Sequence, residues 1–320
     1  MSDVTDHTPV TGALWAVLAT ICFTVVDVII KFLSGDYPLY QITFLRTLVA
    51  LTLVLGLTAA MTGSLAALRT NHLKMQLLRG GFVVTANFLF FTGLAALPLA
   101  ETVAIFFVGP LLISIFSVVF LGDRVGPRRW AAVAVGLIGV LIVLRPGTEA
   151  FQLAALLPIG SATCYAFLHI LTRKIGTGDS VAALLFYTQL VMLVVSVVAG
   201  LAFGHGAFDV FDHPSAAFLL RAWSWPNAFD IALIVALGTA IATGGYAISA
   251  AYRRSEPAFI APFEYIAMPV AVLWGIVIFA EYPELTAYLG IGLILVSGLV
   301  LIWREAVARR QERLDAPGRF

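Results

Sequence analysis

Apolar residues in this chain come in long unbroken runs rather than in alternation. Residues 48–57 read Leu-Val-Ala-Leu-Thr-Leu-Val-Leu-Gly-Leu, and residues 111–121 hold nothing more polar than Ser114 and Ser117. A membrane-spanning helix needs about 20 such residues, because the hydrocarbon core is about 30 Å thick and each helical residue rises about 1.5 Å. The short alternating segments of an outer-membrane barrel are not visible. A chain inside lipid has no water for its backbone groups, so the runs are predicted to be helices. Ten spans are expected, at residues 12–33, 38–61, 77–97, 101–121, 130–144, 153–172, 181–203, 229–251, 257–280 and 285–303.

Turn residues separate most of these runs: Gly-Asp-Tyr-Pro at 35–38, Arg-Pro-Gly at 145–147 and Gly-Thr-Gly-Asp-Ser at 176–180. One link is long, 205–227, and its Trp223, Trp225 and Pro226 suit a membrane–water interface.

Composition agrees with this reading. Hydrophobic residues make up 61% of the chain and charged residues 12%, against about 25% charged in a typical soluble domain. So few charges cannot cover a water-facing surface. The net charge of +1 gives no reason to expect a nucleic-acid partner; the expected partners are the lipid bilayer and a small-molecule solute, with the protein itself a monomer. Residues 1–11 contain Asp3 and Asp6 but no Lys or Arg, unlike the start of a secretory signal, and are expected to be a short cytosolic tail. Cys22 and Cys164 both fall inside apolar runs and read as small packing residues.

The basic residues set an orientation. Fifteen of the 19 Lys and Arg fall on the side of the N-terminus, the even-numbered loops and the C-terminus. Lys31, Arg145 and Arg221 fall on the other side, and Arg46 lies within a span. The excess predicts both termini in the cytosol, in the cell (inner) membrane.

A weak internal repeat runs through both halves. At a shift of 142, Leu14 meets Leu156, Cys22 meets Cys164, Asp27 meets His169 and Lys31 meets Arg173. At 155, Glu101 meets Glu256, and at 158, Asp123 meets Glu281. Each half holds five spans, an odd number, so the second half enters from the opposite side. The expected fold class is an all-α polytopic membrane protein of ten transmembrane helices in two inverted five-helix repeats, an architecture of alternating-access transporters. The expected units are 1–147, 148–303 and a basic cytosolic tail, 304–320.

These landmarks resemble the drug/metabolite transporter superfamily in its ten-helix form, built from two EamA-type repeats, over roughly residues 12–303. They are Gly109-Pro110 followed by Leu121-Gly122-Asp123, and Ala261-Pro262-Phe263-Glu264-Tyr265 followed by Phe279-Ala280-Glu281-Tyr282-Pro283. Gly-rich spans carrying Gly136 and Gly139, and Gly290, Gly292 and Gly298, follow each. The family's usual Leu-Gly-Glu stands here as Leu-Gly-Asp and Phe-Ala-Glu. The resemblance is greatest to bacterial amino-acid and metabolite exporters. It implies export of a small metabolite, an amino acid first, with import of a nucleoside-like metabolite or multidrug efflux as the alternatives. A membrane-embedded enzyme or a channel is remote.

Ionisable groups within a bilayer are costly, about 2.5–3.5 kcal/mol on insertion scales, so each marks a pathway or a buried pair. Asp27 and Arg46 lie roughly 9 and 12 Å deep from the same face, counting helical rise. They are expected to meet, as a structural salt bridge, an outer gate or a clamp on the solute's charges. Asp27 also stands four residues before Lys31, a favourable helical pairing. By the repeat, His169 and Gln189 are the inner counterparts, and Glu264 lies at similar depth. A packed, hydrogen-bonded histidine is the plainer reading of His169.

Pro110 interrupts span 4, and Pro262 and Pro269 interrupt span 9, its equivalent. Proline frees a helix carbonyl, so matched interruptions point to a midplane site, with simple packing kinks as the alternative. Asn87, Tyr165, Tyr246, Glu264 and Tyr265 are the expected cavity lining, beside Phe90 and Phe91. Spans 5 and 10 hold almost no polar atoms mid-span and are expected to be scaffold. No phosphate-cradling Gly-rich loop with Lys, no Cys/His metal cluster and no catalytic constellation stand out, so neither an enzyme nor a cofactor is expected.

Overall fold

The computed structural model describes residues 9–122, 126–146, 148, 152–175, 179–255 and 257–315. Asp123, Gly147 and Glu256, which mark the repeat and a turn in the sequence, lie outside these residues, as do the side chains of Arg173 and Lys174.

Thirteen helices follow one another among the described residues: α1 (Pro9–Leu33), α2 (Leu39–Thr62), α3 (Leu73–Leu94), α4 (Leu99–Phe106), α5 (Gly109–Leu121), α6 (Pro127–Leu144), α7 (Leu156–Ile175), α8 (Val181–Phe203), α9 (Pro214–Leu220), α10 (Ala228–Arg254), α11 (Pro257–Glu264), α12 (Ala267–Phe279) and α13 (Leu285–Asp315). Ten stretches are long and apolar enough to cross a membrane. Helices α4 and α5 share one of them and α11 and α12 another, so spans 4 and 9 are each two helices in line. α13 runs on past the expected end of span 10 to Asp315.

The helices stop where the chain chemistry says they should. Ser180 caps α8 by accepting from the Ala183 N–H at 3.0 Å, and Asn227 caps α10 through Asp230 at 2.9 Å. Gly63 closes α2 and Gly122 closes α5 in the left-handed conformation, at φ 66° and 72°. Ala280 closes α12 the same way, at φ 53°. Gly122 and Ala280 are equivalent in the repeat, so the inverted halves reproduce even this turn.

Packing follows the same exchange of halves. Span 1 lies along span 8 and span 3 along span 6, while spans 2 and 7, and spans 5 and 10, lie on each other. Swapping the halves exchanges the first two pairings and returns each of the last two to itself. Spans 5 and 10 approach closely at Gly139 and Gly290, where a β-carbon on either would meet the other's carbonyl oxygen at 2.9 or 2.7 Å. Large apolar side chains such as Leu201, Val277 and Leu14 point outwards, as a lipid-facing surface requires.

The long link between spans 7 and 8 is more ordered than its sequence suggests. Short helix α9 seats Phe218 fully in the core. Ser215 donates to the Thr92 carbonyl at 2.8 Å, Tyr40 to the Arg221 carbonyl at 2.7 Å, and Arg221 to the Ser34 carbonyl at 3.0 Å. The link thus ties down the ends of spans 1 to 3 on the face away from the termini, hereafter the far face.

Candidate functional site

The two interrupted spans meet at the centre. In span 4 the helix breaks at Phe107–Val108, and Pro110 occupies the first turn of α5, where a missing N–H costs nothing. In span 9 it breaks at Tyr265–Ile266, with Pro262 inside α11 and Pro269 the third residue of α12. Tighter i→i+3 bonds replace the α ladder at both breaks, such as Val108 to Ile105 at 3.1 Å and Ile266 to Phe263 at 3.2 Å. Phe107 and Tyr265 are equivalent in the repeat, and their rings touch, with centroids 4.8 Å apart. Thr20 reaches the second break from α1, donating to the Phe263 carbonyl at 3.4 Å.

A chain of aromatic rings extends from the first break. Phe106 packs on Phe90 of α3 at 5.2 Å and on Tyr165 of α7 at 5.5 Å, and Phe90 packs on Phe91 at 5.3 Å. Arg46 of α2 holds its guanidinium over the Phe91 ring, 5.4 Å from the centroid, and donates to Asn87 Oδ1 at 3.3 Å. Asn87 in turn donates to the Val83 carbonyl at 3.0 Å.

Asp27 and Arg46 do not form the expected direct bridge. They lie within electrostatic range, but no nitrogen of Arg46 comes within 4.0 Å of the Asp27 carboxyl. The reason is competition: Arg46 turns to Asn87 and the Phe91 face. The Asp27–Lys31 pairing is absent too. Lys31 turns to Glu281 at 2.5 Å and to the Leu97 carbonyl at 2.5 Å. Glu281 also accepts from the Leu99 N–H at 2.8 Å, at the start of α4. This far-face contact joins both halves, and the sequence reading missed it. Glu281 was visible only as a family landmark and as the repeat partner of Asp123.

Towards the face that carries the termini, Glu264 accepts a short hydrogen bond from Tyr252 of α10, a partner the sequence reading did not name. It also lies in electrostatic range of the Tyr165 and Tyr265 hydroxyls. His169 shares a face of α7 with Tyr165, centroids 4.4 Å apart, and is exposed. Gln189 of α8 is half-buried and does not join His169 and Glu264 in one contact, so the expected inner triad does not form. Spans 7 and 2 lie side by side, which leaves Gln189 with its own neighbours. Tyr246 packs edge-on against Trp15 of α1 at 5.9 Å. Tyr265 is buried, its ring against Phe107 and over Gly298, where any β-carbon would collide with it. No cluster of three or more potential metal ligands occurs among the described residues.

Known transporters are similar to this chain in sequence. Residues 10–145 match the EamA-like transporter family. The chain is 28% identical to a riboflavin transporter of Vibrio cholerae, over 96% of this chain and 98% of that protein. It is 25% identical to an S-adenosylmethionine uptake transporter of Rickettsia felis, over 95% and 97%. It is 24% identical to a pseudopaline exporter of Pseudomonas aeruginosa, over 91% and 95%. A solved crystal structure has the same fold, with a TM-score of 0.65, 18% identity and coverage of 95% of this chain and 99% of that one. The chain thus carries an EamA-type transporter domain over its first five spans, its ten spans fit the two-repeat form of that family, and it is similar to transporters along nearly its whole length.

Proposed function

We propose that this protein is a secondary transporter of the inner membrane that takes up a small planar heteroaromatic metabolite by alternating access. The ring chain Phe91–Phe90–Phe106–Tyr165 beside the helix breaks carries this reading. Aromatic side chains set edge-to-face or tilted, as here, favour an aromatic solute, at about 0.5–1.5 kcal/mol per ring pair beyond burial. Asn87 and Arg46 border that wall and supply polar orientation. The names of two relatives, a riboflavin transporter and an S-adenosylmethionine uptake transporter, agree with a heteroaromatic solute, and the second agrees with inward movement.

In this reading the basic face is cytosolic, residues 1–147 and 148–303 rock against each other, and the Lys31–Glu281 contact closes the far, outer face. Asn87 and Tyr165 touch the solute. Glu264 with Tyr252, Tyr246 and exposed His169 border the inner mouth, and Tyr265 packs at the pivot between the breaks. One monomer suffices, since both mouths belong to one chain. No nucleotide-binding loop supplies ATP drive.

Amino-acid export is the second reading. Arg46 and Glu264 favour it, since they offer both signs a zwitterion needs. Accumulation of labelled riboflavin and of labelled leucine in cells expressing the protein separates the two. Riboflavin accumulation that falls in Tyr165→Ala supports uptake of heteroaromatics. Leucine loss from preloaded cells, without riboflavin accumulation, supports export instead.

A further inference from the structure

Asp27 and Arg46 lie within electrostatic range of each other inside the membrane span without forming an ion pair. Opposite charges in a low-dielectric setting attract strongly, so a purely structural pair would close to contact. Here the half-buried Asp27 makes neither a hydrogen bond nor an ion pair with the described residues. Lys31, one turn along the same helix, is already held by Glu281 and the Leu97 carbonyl. Arg46 is 3% exposed, and its Nε has no partner. Thr43 and Thr47, on the same face of α2, also bury hydroxyls without partners. Buried polar groups of this kind are rare and call for something that satisfies them.

The pair therefore offers an acceptor on one side, donors on the other and an aromatic ring, Phe91, beneath the guanidinium. We infer that it receives the polar edge of the solute's ring, an edge with N–H beside C=O, as in a flavin or uracil imide. The Asp27 carboxyl accepts the ring N–H, and Arg46 donates to the adjacent carbonyl. A hydrogen bond of about 2.9 Å on each side of such an edge holds the two side chains further apart than an ion pair would stand. The edge is neutral, so it satisfies both groups without bringing a further charge into the membrane. The aromatic contacts continue from Phe91 through Phe90 to Phe106, set edge-to-face at 78° and 69°, a polarised surround that suits an aromatic ring better than an amino-acid head group. This inference rests on the heteroaromatic reading and assigns the residues that recognise the ring.

The test is competition against labelled riboflavin uptake in proteoliposomes, with unlabelled riboflavin and N3-methylriboflavin as competitors. Methylation removes the N–H and leaves ring, charge and side chain in place. The methylated compound should compete about tenfold less well, the worth of one hydrogen bond to a charged group. Asp27→Asn, which keeps the side-chain shape, should narrow that ratio, and Asp27→Ala should bring it near one. Equal competition by both compounds in the wild type overturns this inference alone. No saturable riboflavin uptake overturns the heteroaromatic reading and this inference with it. A ratio that persists unchanged in folded Asp27→Asn also overturns it.

Discussion

Lys31, near the end of the first helix, meets Glu281, beyond the end of the ninth span, at 2.5 Å, with side chains only 11% and 25% exposed. The contact is chelated on both sides. Lys31 also holds the Leu97 carbonyl, Glu281 also holds the Leu99 N–H, and the ammonium lies 5.4 Å over the Phe279 ring. Three chain segments from both halves are thereby tied on the far face.

If this tie closes the far face, breaking it should open that face. Val103, 3% exposed midway along α4, is the reporter. With Cys22 and Cys164 replaced by Ala, Val103→Cys should react slowly with a membrane-impermeant thiol reagent and several-fold faster when Glu281→Gln is added. In stability measurements, Lys31→Met and Glu281→Gln should couple by about 1–2 kcal/mol, above the surface-pair range of about 0–1 kcal/mol. Unchanged labelling and additive stabilities would show a bystander pair.

Ala280 directs Glu281 to its partners through a left-handed turn at φ 53°. That conformation costs a residue with a β-carbon about 1–2 kcal/mol, more than the roughly 0.4–1 kcal/mol of extra unfolded-state entropy that glycine brings. Ala280→Gly should therefore raise the Tm slightly. Gly122→Ala, at the equivalent turn with φ 72°, should lower it by the same logic. Thermal unfolding in detergent checks both signs.

Gly139 and Gly290 let spans 5 and 10 approach to backbone contact. Gly139→Ala should destabilise by about 1–3 kcal/mol, the usual cost of overpacking. Gly292→Ala, which faces open space, should be neutral. Comparison of the two variants by thermal unfolding isolates the close approach from the loss of a glycine.

Asp179 ties the α7–α8 link to the start of span 3. It accepts from Thr70 at 2.6 Å and from Gln76 at 2.5 Å, and these bonds hold its carboxyl below the ordinary aspartate range. A depressed folded-state value stabilises above the unfolded value of about 3.9 and is lost as pH falls through the folded value. Acid destabilisation between pH 5 and 3 should thus be smaller in Asp179→Asn than in the wild type.

Much of this was legible in the chain. Apolar runs gave the spans, because lipid forbids unsatisfied backbone, and the matched prolines gave the breaks in spans 4 and 9. The partner choices of individual charges were not legible. Asp27 has Lys31 one turn away and Arg46 on the next helix, and spacing favours both. Only the folded arrangement shows that Glu281, 250 residues from Lys31, takes the lysine, and that Asn87 and Phe91 hold the arginine. Helix α9 was hidden in a link whose aromatics suggested only an interface. Its Pro214 start and the core residue Phe218 were the available signals.

The central claim is that the protein carries planar heteroaromatic solutes. Uptake of labelled riboflavin by the purified protein in liposomes tests it most directly, against protein-free liposomes, with unlabelled adenosine, uridine and leucine as competitors. The account predicts saturable uptake that a ring-bearing competitor reduces and leucine does not. Saturable transport of leucine with no uptake of riboflavin would contradict it.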